Sequence, residues 1–320
     1  MTYQILRLTF SGNVHFGEGL LESSASGFSA DTLFSALCCE LVDEPDKLSE
    51  LVTSAKAHRF LISDAFPYCG DTLFLPKPCV SVRSRTEADD GNSVRKKLFK
   101  KLQYIPVGDY AAYLRGEMTT ERCAEITAML GDLGSTYLTE HVSIPRDPAE
   151  DKPEPYAIGG YRFRENCGLW IVLGTEDAHI LSIVTDLLTA LGLSGIGGKR
   201  SAGYGRFTFS VEDAPAPLLH GLECAERSAR KMTLSVCLPQ ESELDAAMQD
   251  ASYLVMRRSG FVGSDTYAEK AQKKQDLYVL QAGSCFADSF CGDVYDVSAG
   301  GSHPVWRYAV PLFFGWEGDA

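Results

Sequence analysis

The pattern of apolar residues predicts that the chain begins with a strand and a helix. Residues 3–10 alternate apolar and polar side chains, which is typical of a strand with one buried face. A loop rich in glycine and serine follows, and apolar residues then recur at helical spacing over residues 33–41. We expect Ser29 or Asp31 to cap this helix, because Ser and Asp are favoured at the N-cap.

A second helix is predicted immediately before a loop rich in glycine. Apolar residues recur at i, i+3, i+4, i+7 and i+8 over residues 180–191, which indicates one buried helix face. Residues 192–209 then hold six glycines and the adjacent cations Lys199 and Arg200, and end in a strand-like run. Glycine lets the backbone adopt positive φ and approach a partner closely, and the cations favour an anionic one. A plain helix C-cap and turn is the simpler alternative.

The two common nucleotide-binding motifs do not match this loop. A Walker loop needs glycine five positions before its Gly-Lys pair and Ser or Thr after the lysine, but Leu193 and Arg200 occupy those positions. A dinucleotide fingerprint needs a third glycine where Arg200 stands, and it lies between a strand and the following helix. The order here is helix to strand, so both nucleotide interpretations are excluded.

Strand patterns also flank a turn near the middle of the chain. Two strand-like runs, residues 137–144 and 156–164, enclose a turn rich in Pro, Asp and Glu, which predicts a hairpin. Residues 169–173 are nearly all apolar and predict a core strand. After APAPLL at residues 214–219, interpreted as a linker, strand and helix patterns alternate again and predict a second, β-rich domain.

Composition and cysteine usage narrow the class of protein. The 320 residues, 45% of them hydrophobic, can form one large or two medium domains with a real core. MTYQILRLTF does not resemble a signal peptide, and no run of eighteen apolar residues occurs, so we expect a cytoplasmic protein. The ten cysteines include no C-x-x-C pair, so we expect neither a metal site nor a cofactor.

The charge is unevenly distributed along the chain. A net charge of −13 argues against free, non-specific binding to nucleic acid, which usually needs a basic domain. A basic run nevertheless lies within residues 83–101, with seven cations against three acids. Such a dense run attracts phosphate, so we expect it to contact RNA or a neighbouring subunit; a solvated helix face is the alternative. An acidic protein with local basic loops suits a subunit that holds one RNA within an assembly.

Four motifs in a fixed order resemble one known family. They are HFGEG at residues 15–19, ADTLFSAL at 30–37, GIGGKRSAGYG at 195–205 and SHPVWRY at 302–308. The basic run with its KKLFKKLQYIP stretch fits between the second and third motifs. With these motifs the chain resembles the Csm4-type family, the Cas5-like RAMP subunits of type III-A (Csm) CRISPR complexes. Ala30 stands where that family is expected to have a serine, a departure that touches the helix cap.

The resemblance implies both a fold and a function. The implied fold is α/β (α+β), with two ferredoxin-like (RRM-like) domains over residues 1–213 and 214–320, a glycine-rich loop, and the hairpin inserted as a thumb. The implied function is non-catalytic: anchoring the 5′ handle of the guide RNA. The implied protein partners are the large polymerase/cyclase subunit and the first backbone RAMP subunit of the same complex.

Single-stranded RNA is held by cations and backbone amides at its phosphates and by aromatic rings at its bases. The resemblance implies no catalytic residues, and we expect no metal-binding ones. We expect the following RNA-binding residues: His15, Phe16, Gly17, Arg83, Arg85, Lys97, Lys100, Lys101, Arg146, Arg162, Gly197, Gly198, Lys199, Arg200, Ser201, Gly203, Tyr204 and Arg206. On the hairpin, we expect the apolar and stacking groups to be Ile144, Pro145, Ile158 and Tyr161. A plain surface hairpin is the alternative.

Two other functions fit the same residues. A metal-independent ribonuclease that cuts CRISPR repeats would use His15 as general base, with Lys199 or Arg200 stabilising the charge of the transition state. A purely structural adaptor would instead place its basic loops against acidic protein surfaces. A lone histidine is more often a packed residue than a catalyst, which favours the RNA-anchor interpretation.

Overall fold

The computed structural model describes residues 1–17, 19–82, 93–144, 152–264 and 266–316, with residues 93–96 described by their backbone alone. Within these ranges the strands are β1 Thr2–Phe10, β2 Phe16–Gly17, β3 Ser24–Ala25, β4 Phe60–Ile62, β5 Phe66–Cys69, β6 Thr72–Pro76, β7 Tyr104–Pro106, β8 Gly134–Ser143, β9 Glu154–Phe163, β10 Cys167–Thr175, β11 Phe207–Asp213, β12 Arg230–Thr233, β13 Val255–Arg258, β14 Leu277–Leu280, β15 Cys285–Phe286, β16 Asp293–Asp296, β17 Trp306–Ala309 and β18 Phe313–Trp316.

The helices alternate with these strands in the first two thirds of the chain. They are α1 Ala30–Glu40, α2 Pro45–Lys56, α3 Ser93–Lys101, α4 Tyr110–Leu114, α5 Thr120–Gly131, α6 Ala178–Ser194, α7 Ala216–Cys224 and α8 Leu244–Met248. Short 3-10 turns occupy Val107–Asp109, Arg200–Ala202 and Ala225–Arg227. None of the helices in the described ranges combines the length and the apolar character that crossing a bilayer requires.

One seven-stranded antiparallel sheet organises the molecule. Its strand order is β11-β1-β10-β5-β6-β7, and β4 also pairs with β10. The chain passes from β1 through α1 and α2 to β4, and later from β10 through α6 to β11. In each case the two strands lie two positions apart in the sheet, β1 and β4 on either side of β10 and β10 and β11 on either side of β1. The mixed α/β class is therefore confirmed, whereas the division into two ferredoxin-like domains stays a prediction.

Both faces of the sheet are covered. On one face, Leu6 and Leu8 of β1 pack with α1 and α6 in a first hydrophobic cluster. On the other face, Ile5 and Trp170 pack with α7, β12 and β18 in a second cluster. All nine residues of β10 are buried because this strand lies between the two clusters, and the predicted core strand is confirmed.

Residues after β11 share the core of the residues before it. Three strands pair in the order β15-β12-β18, while β13 pairs with β14 and β16 with β17. Val236 and Tyr308 belong to the first cluster and Leu218 and Phe314 to the second, so both clusters take residues from both parts of the chain. The predicted linker is wrong over residues 216–219, because α7 begins there and buries Leu218.

The N-terminus of α1 is capped from a distance. The Ser29 side chain makes no capping hydrogen bond, so the expected local cap is wrong. Instead the Asp64 carboxylate accepts hydrogen bonds from the amides of Ala30, at 2.8 Å, and Val236, at 3.0 Å. One buried carboxylate thereby joins the start of α1 to the C-terminal part of the chain.

Asp31 also serves a long-range contact instead of a cap. Its carboxylate is 2% exposed and accepts hydrogen bonds from Arg258 at 2.7 Å and from Arg307 at 2.6 Å. Arg258 also donates to the Thr32 hydroxyl at 2.8 Å. This network ties α1 to β13 and β17. Loss of any one partner would be costly, because it would leave an uncompensated charge in the core.

Asp64 makes the stability of the fold depend on pH. Burial raises the pKa of Asp64 to about 7, and the two backbone donors oppose that rise. An aspartate in an unfolded chain has a pKa of about 4. Between these values the folded state binds more protons than the unfolded state, so Asp64 lowers the stability as the pH rises from about 4 to about 7.

We therefore expect Asp64→Asn, which keeps the acceptor oxygen and removes the charge, to gain stability relative to the wild type as the pH rises. The free energies of unfolding, measured with urea from pH 5 to pH 8, should diverge by on the order of a few kcal/mol. Asp43→Asn, at an exposed position, is the matched control and should follow the wild type. Parallel pH profiles for Asp64→Asn and the wild type would contradict the assignment.

Candidate functional site

The glycine-rich loop after α6 has an unusual backbone. Gly195, Gly197, Gly203 and Gly205 all have positive φ, and so does Lys199, at 59°. The α6 helix ends where the Gly195 amide donates to the carbonyl of Leu191 at 2.6 Å. The predicted order of helix, basic glycine loop and strand is therefore confirmed.

Close backbone contacts explain why several of these positions are glycine. The two sides of the loop meet where the Ile196 amide donates to the Gly205 carbonyl at 3.0 Å. A Cβ on Gly205 would overlap the Ile196 carbonyl, and a Cβ on Gly195 would lie 2.5 Å from the Tyr204 carbonyl. Gly203 is different: it has positive φ, but a Cβ there would meet nothing within 4 Å.

His15 joins the loop to the hairpin. Its carbonyl accepts from the Gly198 amide at 2.8 Å, and its ring Nδ1 lies 2.6 Å from the Gly159 carbonyl of β9. The residue is 7% exposed, and a Cβ on Gly198 would lie 2.6 Å from its ring. A second backbone contact, from the Gly205 amide to the Asn13 carbonyl at 2.8 Å, holds the other end of the loop.

The predicted hairpin is present and packs beside the loop. Strands β8 and β9 pair over ten positions, from Gly134 opposite Phe163 to Ser143 opposite Glu154. Val14 and Tyr161 exchange two backbone hydrogen bonds, which attach β9 to the segment that contains His15. We call residues 13–17, 156–161 and 195–206 together the junction.

Aromatic side chains of the hairpin face the glycine loop. The ammonium group of Lys199 lies 5.6 Å from the centre of the Tyr156 ring, which also stacks with His141 at 5.4 Å. Burial raises the pKa of Tyr137, and its contact with Tyr204 adds to the rise. The Tyr137 hydroxyl therefore stays protonated at neutral pH and can act as a hydrogen-bond donor.

Four cations surround the junction. Lys199 and Arg200 are partly buried, whereas Arg162 and Arg206 are exposed. Arg200 lies 3.9 Å from Glu40 of α1, which also accepts a hydrogen bond from Ser194 at 2.7 Å. The Arg200 pair is long and partly exposed, so it adds little stability and leaves the guanidinium available to another anion.

The amides at the tip of the loop are also open. Within the described residues, the backbone N–H groups of Lys199, Arg200 and Ser201 donate to no acceptor. Ser201 itself is exposed. Successive free amides in a left-handed to helical turn form a concave anion-binding surface, so the tip offers both amides and cations.

The other predicted residues of the HFGEG motif lie at one edge of the junction. Phe16 is 4% exposed, and its ring packs against Phe10 and Phe28 at 5.9 and 5.1 Å. The Phe16 ring therefore packs beneath the glycine loop in the core and has no exposed face on which a base could stack. Gly17 is exposed in β2, where it pairs with Ser24.

The structure does not bring the basic run to the junction. Lys97, Lys100 and Lys101 are exposed on α3, which packs Leu98 against the second cluster, on the sheet face opposite the glycine loop. Arg83, Arg85 and Arg146 lie outside the described residues. The lysines of α3 therefore form a surface separate from the junction.

The expected stacking groups on the hairpin need correction. Ile158 and Tyr161 are 3% and 9% exposed; they lie on opposite faces of β9, and residues 158–161 of this strand are buried on both faces, while Pro145 lies outside the described residues. The exposed apolar side chains are instead Leu138, Val142 and Ile144, at 59%, 58% and 81% exposure. Ile144 was expected. Leu138 and Val142 are separated from Ile144 by even numbers of residues and so share its face of the strand, which means that strand alternation could have identified them.

Among the described residues, no three His, Cys, Asp or Glu side chains come together as a possible set of metal ligands.

Comparison with known proteins now identifies the family. Residues 226–316 match the family model described as the CRISPR Csm4 C-terminal domain. A Mycobacterium tuberculosis protein (strain CDC 1551 / Oshkosh) named "CRISPR system Cms protein Csm4" is 38% identical over 315 residues, which cover 98% of this chain and 97% of that protein. The chain belongs to the Csm4 family.

Solved structures show the same fold in other members. A chain of a "Csm3-Csm4 subcomplex in the type III-A CRISPR-Cas interference complex" matches with a TM-score of 0.68 at 18% identity, covering 99% of this chain and 100% of that one. A chain of a "Csm1-Csm4 cassette in complex with cA4" matches with a TM-score of 0.57 at 20% identity, covering 98% of both. The resemblance noted from the four motifs is thus confirmed for the whole length of the chain.

The contrast between two glycines tests how the loop is built. Gly205→Ala should cost about 3 kcal/mol or more, because the new Cβ overlaps backbone as well as requiring positive φ. Gly203→Ala should cost only about 1 kcal/mol, the strain of a left-handed residue in open space. Urea unfolding of the two variants measures the difference. Equal losses would show that the backbone contact with Ile196 is not tight.

Proposed function

We propose that this chain is the Csm4 subunit of a type III-A CRISPR interference complex and anchors the 5′ handle of its guide RNA at the junction, without catalysing a reaction. The observation that carries the proposal is the tip of the glycine loop, where open amides and cations lie together. Family membership supports the complex, since relatives were solved with Csm3 and with Csm1.

Phosphate recognition would use the tip of the loop. The amides of Lys199, Arg200 and Ser201 follow one another at the tip of the loop and donate to no acceptor within the described residues, and Gly197, Gly198 and Gly203 flank them. Lys199 and Arg200 add two charges, and the exposed Arg162 and Arg206 extend the cationic surface. Such an arrangement binds a sugar-phosphate backbone without reading a particular base.

Base contacts would come from the hairpin and from Tyr204. Tyr156 is 38% exposed beside Lys199, and Leu138, Val142 and Ile144 offer apolar surface on the outer face of β8. Unstacked bases of single-stranded RNA pack on such groups. In this proposal Phe16, His15 and the loop glycines position the backbone, and the side chains around them touch the RNA.

The negative net charge of the chain fits a subunit of an assembly. With a net charge of −13, the chain would repel RNA over most of its surface and attract it only at local cationic sites. The handle would therefore be held jointly with neighbouring proteins. We propose that these neighbours are the large polymerase/cyclase subunit and the first backbone RAMP subunit. The lysines on α3 form a second basic surface, which would contact one of these subunits or RNA.

The double variant Lys199→Ala with Arg200→Ala should reduce guide RNA in the purified complex several-fold while leaving the fold intact, because it removes two phosphate-binding charges. The RNA content per complex, measured by absorbance and extraction, is the readout. Lys47→Ala is the matched control, since Lys47 pairs with Glu44 on the surface of α2. Unchanged RNA content, with the complex resisting nuclease, would favour the structural adaptor.

We expect the isolated chain not to cleave RNA. The residue His15 is buried, its ring Nδ1 lies 2.6 Å from the Gly159 carbonyl, and Gly198 lies against the ring, so it lacks the open approach to a 2′-hydroxyl that a general base needs. Incubation of the chain with repeat-containing RNA should leave the RNA intact. Site-specific cleavage that disappears in His15→Ala would establish the ribonuclease function instead.

A further inference from the structure

Two cysteines face each other across neighbouring strands, away from the junction. Cys167 begins β10 and lies directly opposite Cys69, the last residue of β5. Both are free thiols, and their sulfur atoms are 3.3 Å apart, with the Cys167 thiol donating to the Cys69 sulfur. The function proposed above assigns these residues no role.

The pairing type places the two backbones at a distance that suits a disulfide. The Gly70 amide donates to the Asn166 carbonyl at 2.8 Å, so the pair next to the cysteines is a hydrogen-bonded one. Because pair types alternate in antiparallel sheets, Cys69 and Cys167 form a non-hydrogen-bonded pair, with Cα atoms about 4.5 Å apart. Disulfides span about 4.4–6.8 Å between Cα atoms, so only the side chains need to rotate.

A small oxidant can reach the pair. Cys167 is buried, but Cys69 is partly exposed. A depression of about 610 Å³ opens at Cys167 and at Tyr68 and Gly70, the two neighbours of Cys69 in the chain. A solvent-filled cavity of this size can admit a small peptide disulfide.

We propose that Cys69 and Cys167 are a redox modification site that forms a reversible intramolecular disulfide, with a low-molecular-weight disulfide as oxidant. The Cys69 thiolate attacks one sulfur of the oxidant and releases the first small thiolate. The Cys167 thiolate then attacks the Cys69 sulfur and releases the second. Two protein thiols are oxidised, one small disulfide is reduced to two thiols, and the protons pass to the small thiolates.

The surroundings set the order of these two steps. Burial, with a further contribution from the hydrogen bond to Cys69, raises the pKa of Cys167 to about 12. A thiol with so high a pKa is a poor first nucleophile in free solution. Once Cys69 carries the mixed disulfide, however, Cys167 is already beside it, and proximity favours the second attack.

The bond would fasten a long segment to the sheet. The two residues are 98 positions apart, and the segment between them contains α3, α5 and the hairpin β8–β9. Closing such a loop restricts the unfolded chain, so the oxidised protein should be the more stable form. The proposal does not depend on RNA binding.

Oxidation of the full-length chain with glutathione disulfide tests the proposal. After the chain is unfolded in denaturant and the remaining thiols are alkylated, we expect eight of the ten cysteines to be labelled and a peptide map to link Cys69 to Cys167. The melting temperature should rise by about 5 °C or more and return on reduction. A stable glutathione adduct on Cys69, a cross-link elsewhere, or ten labelled cysteines would each overturn the proposal.

Three serine variants sharpen the test. Cys69→Ser and Cys167→Ser should each abolish both the cross-link and the rise in melting temperature. Cys291→Ser, at an exposed cysteine, is the matched control and should retain both. Should either strand variant fail to fold, the wild-type peptide map alone decides the outcome, because it identifies the linked residues directly.

Discussion

The junction depends on the close approach of the backbone of the glycine loop to the backbone of His15. The glycine loop can donate a hydrogen bond to the His15 carbonyl only because Gly197 and Gly198 carry no side chain there. The same histidine uses its ring to hold β9 through Gly159. One residue near the start of the chain therefore sets the positions of two segments more than a hundred residues away, and a side chain at these glycines would separate them.

Buried carboxyl groups play the corresponding part in the core. Asp64 and Asp31 lie near the start of α1, and each binds groups from the C-terminal third of the chain. Because unpaired buried charges are costly, this arrangement favours one relative position of the two parts over others. The α1 helix is in turn packed on α6, which leads into the glycine loop. The core and the junction are thus mechanically connected through these two helices.

The acidic composition and the cationic loop are compatible because charge acts locally in salt. Interactions between exposed charges fade over about 10 Å at moderate ionic strength, so distant acids weaken a phosphate site only slightly. Arg200 lies 3.9 Å from Glu40, and so long and partly exposed a pair does not neutralise the loop. In the proposed function, such a charge distribution would let the subunit bind RNA at defined points and avoid binding it elsewhere.

The sequence by itself determined the periodic elements, the glycine loop and the family. Strand β1, helix α6, the fully buried β10 and the hairpin follow from apolar spacing, which reports how each segment meets the core. Tertiary structure alone decided that Asp64 rather than Ser29 caps α1, that Ile158 and Tyr161 are both buried, and that α3 lies on the opposite face. Each of these depends on contacts between residues far apart in the chain, which local periodicity does not encode.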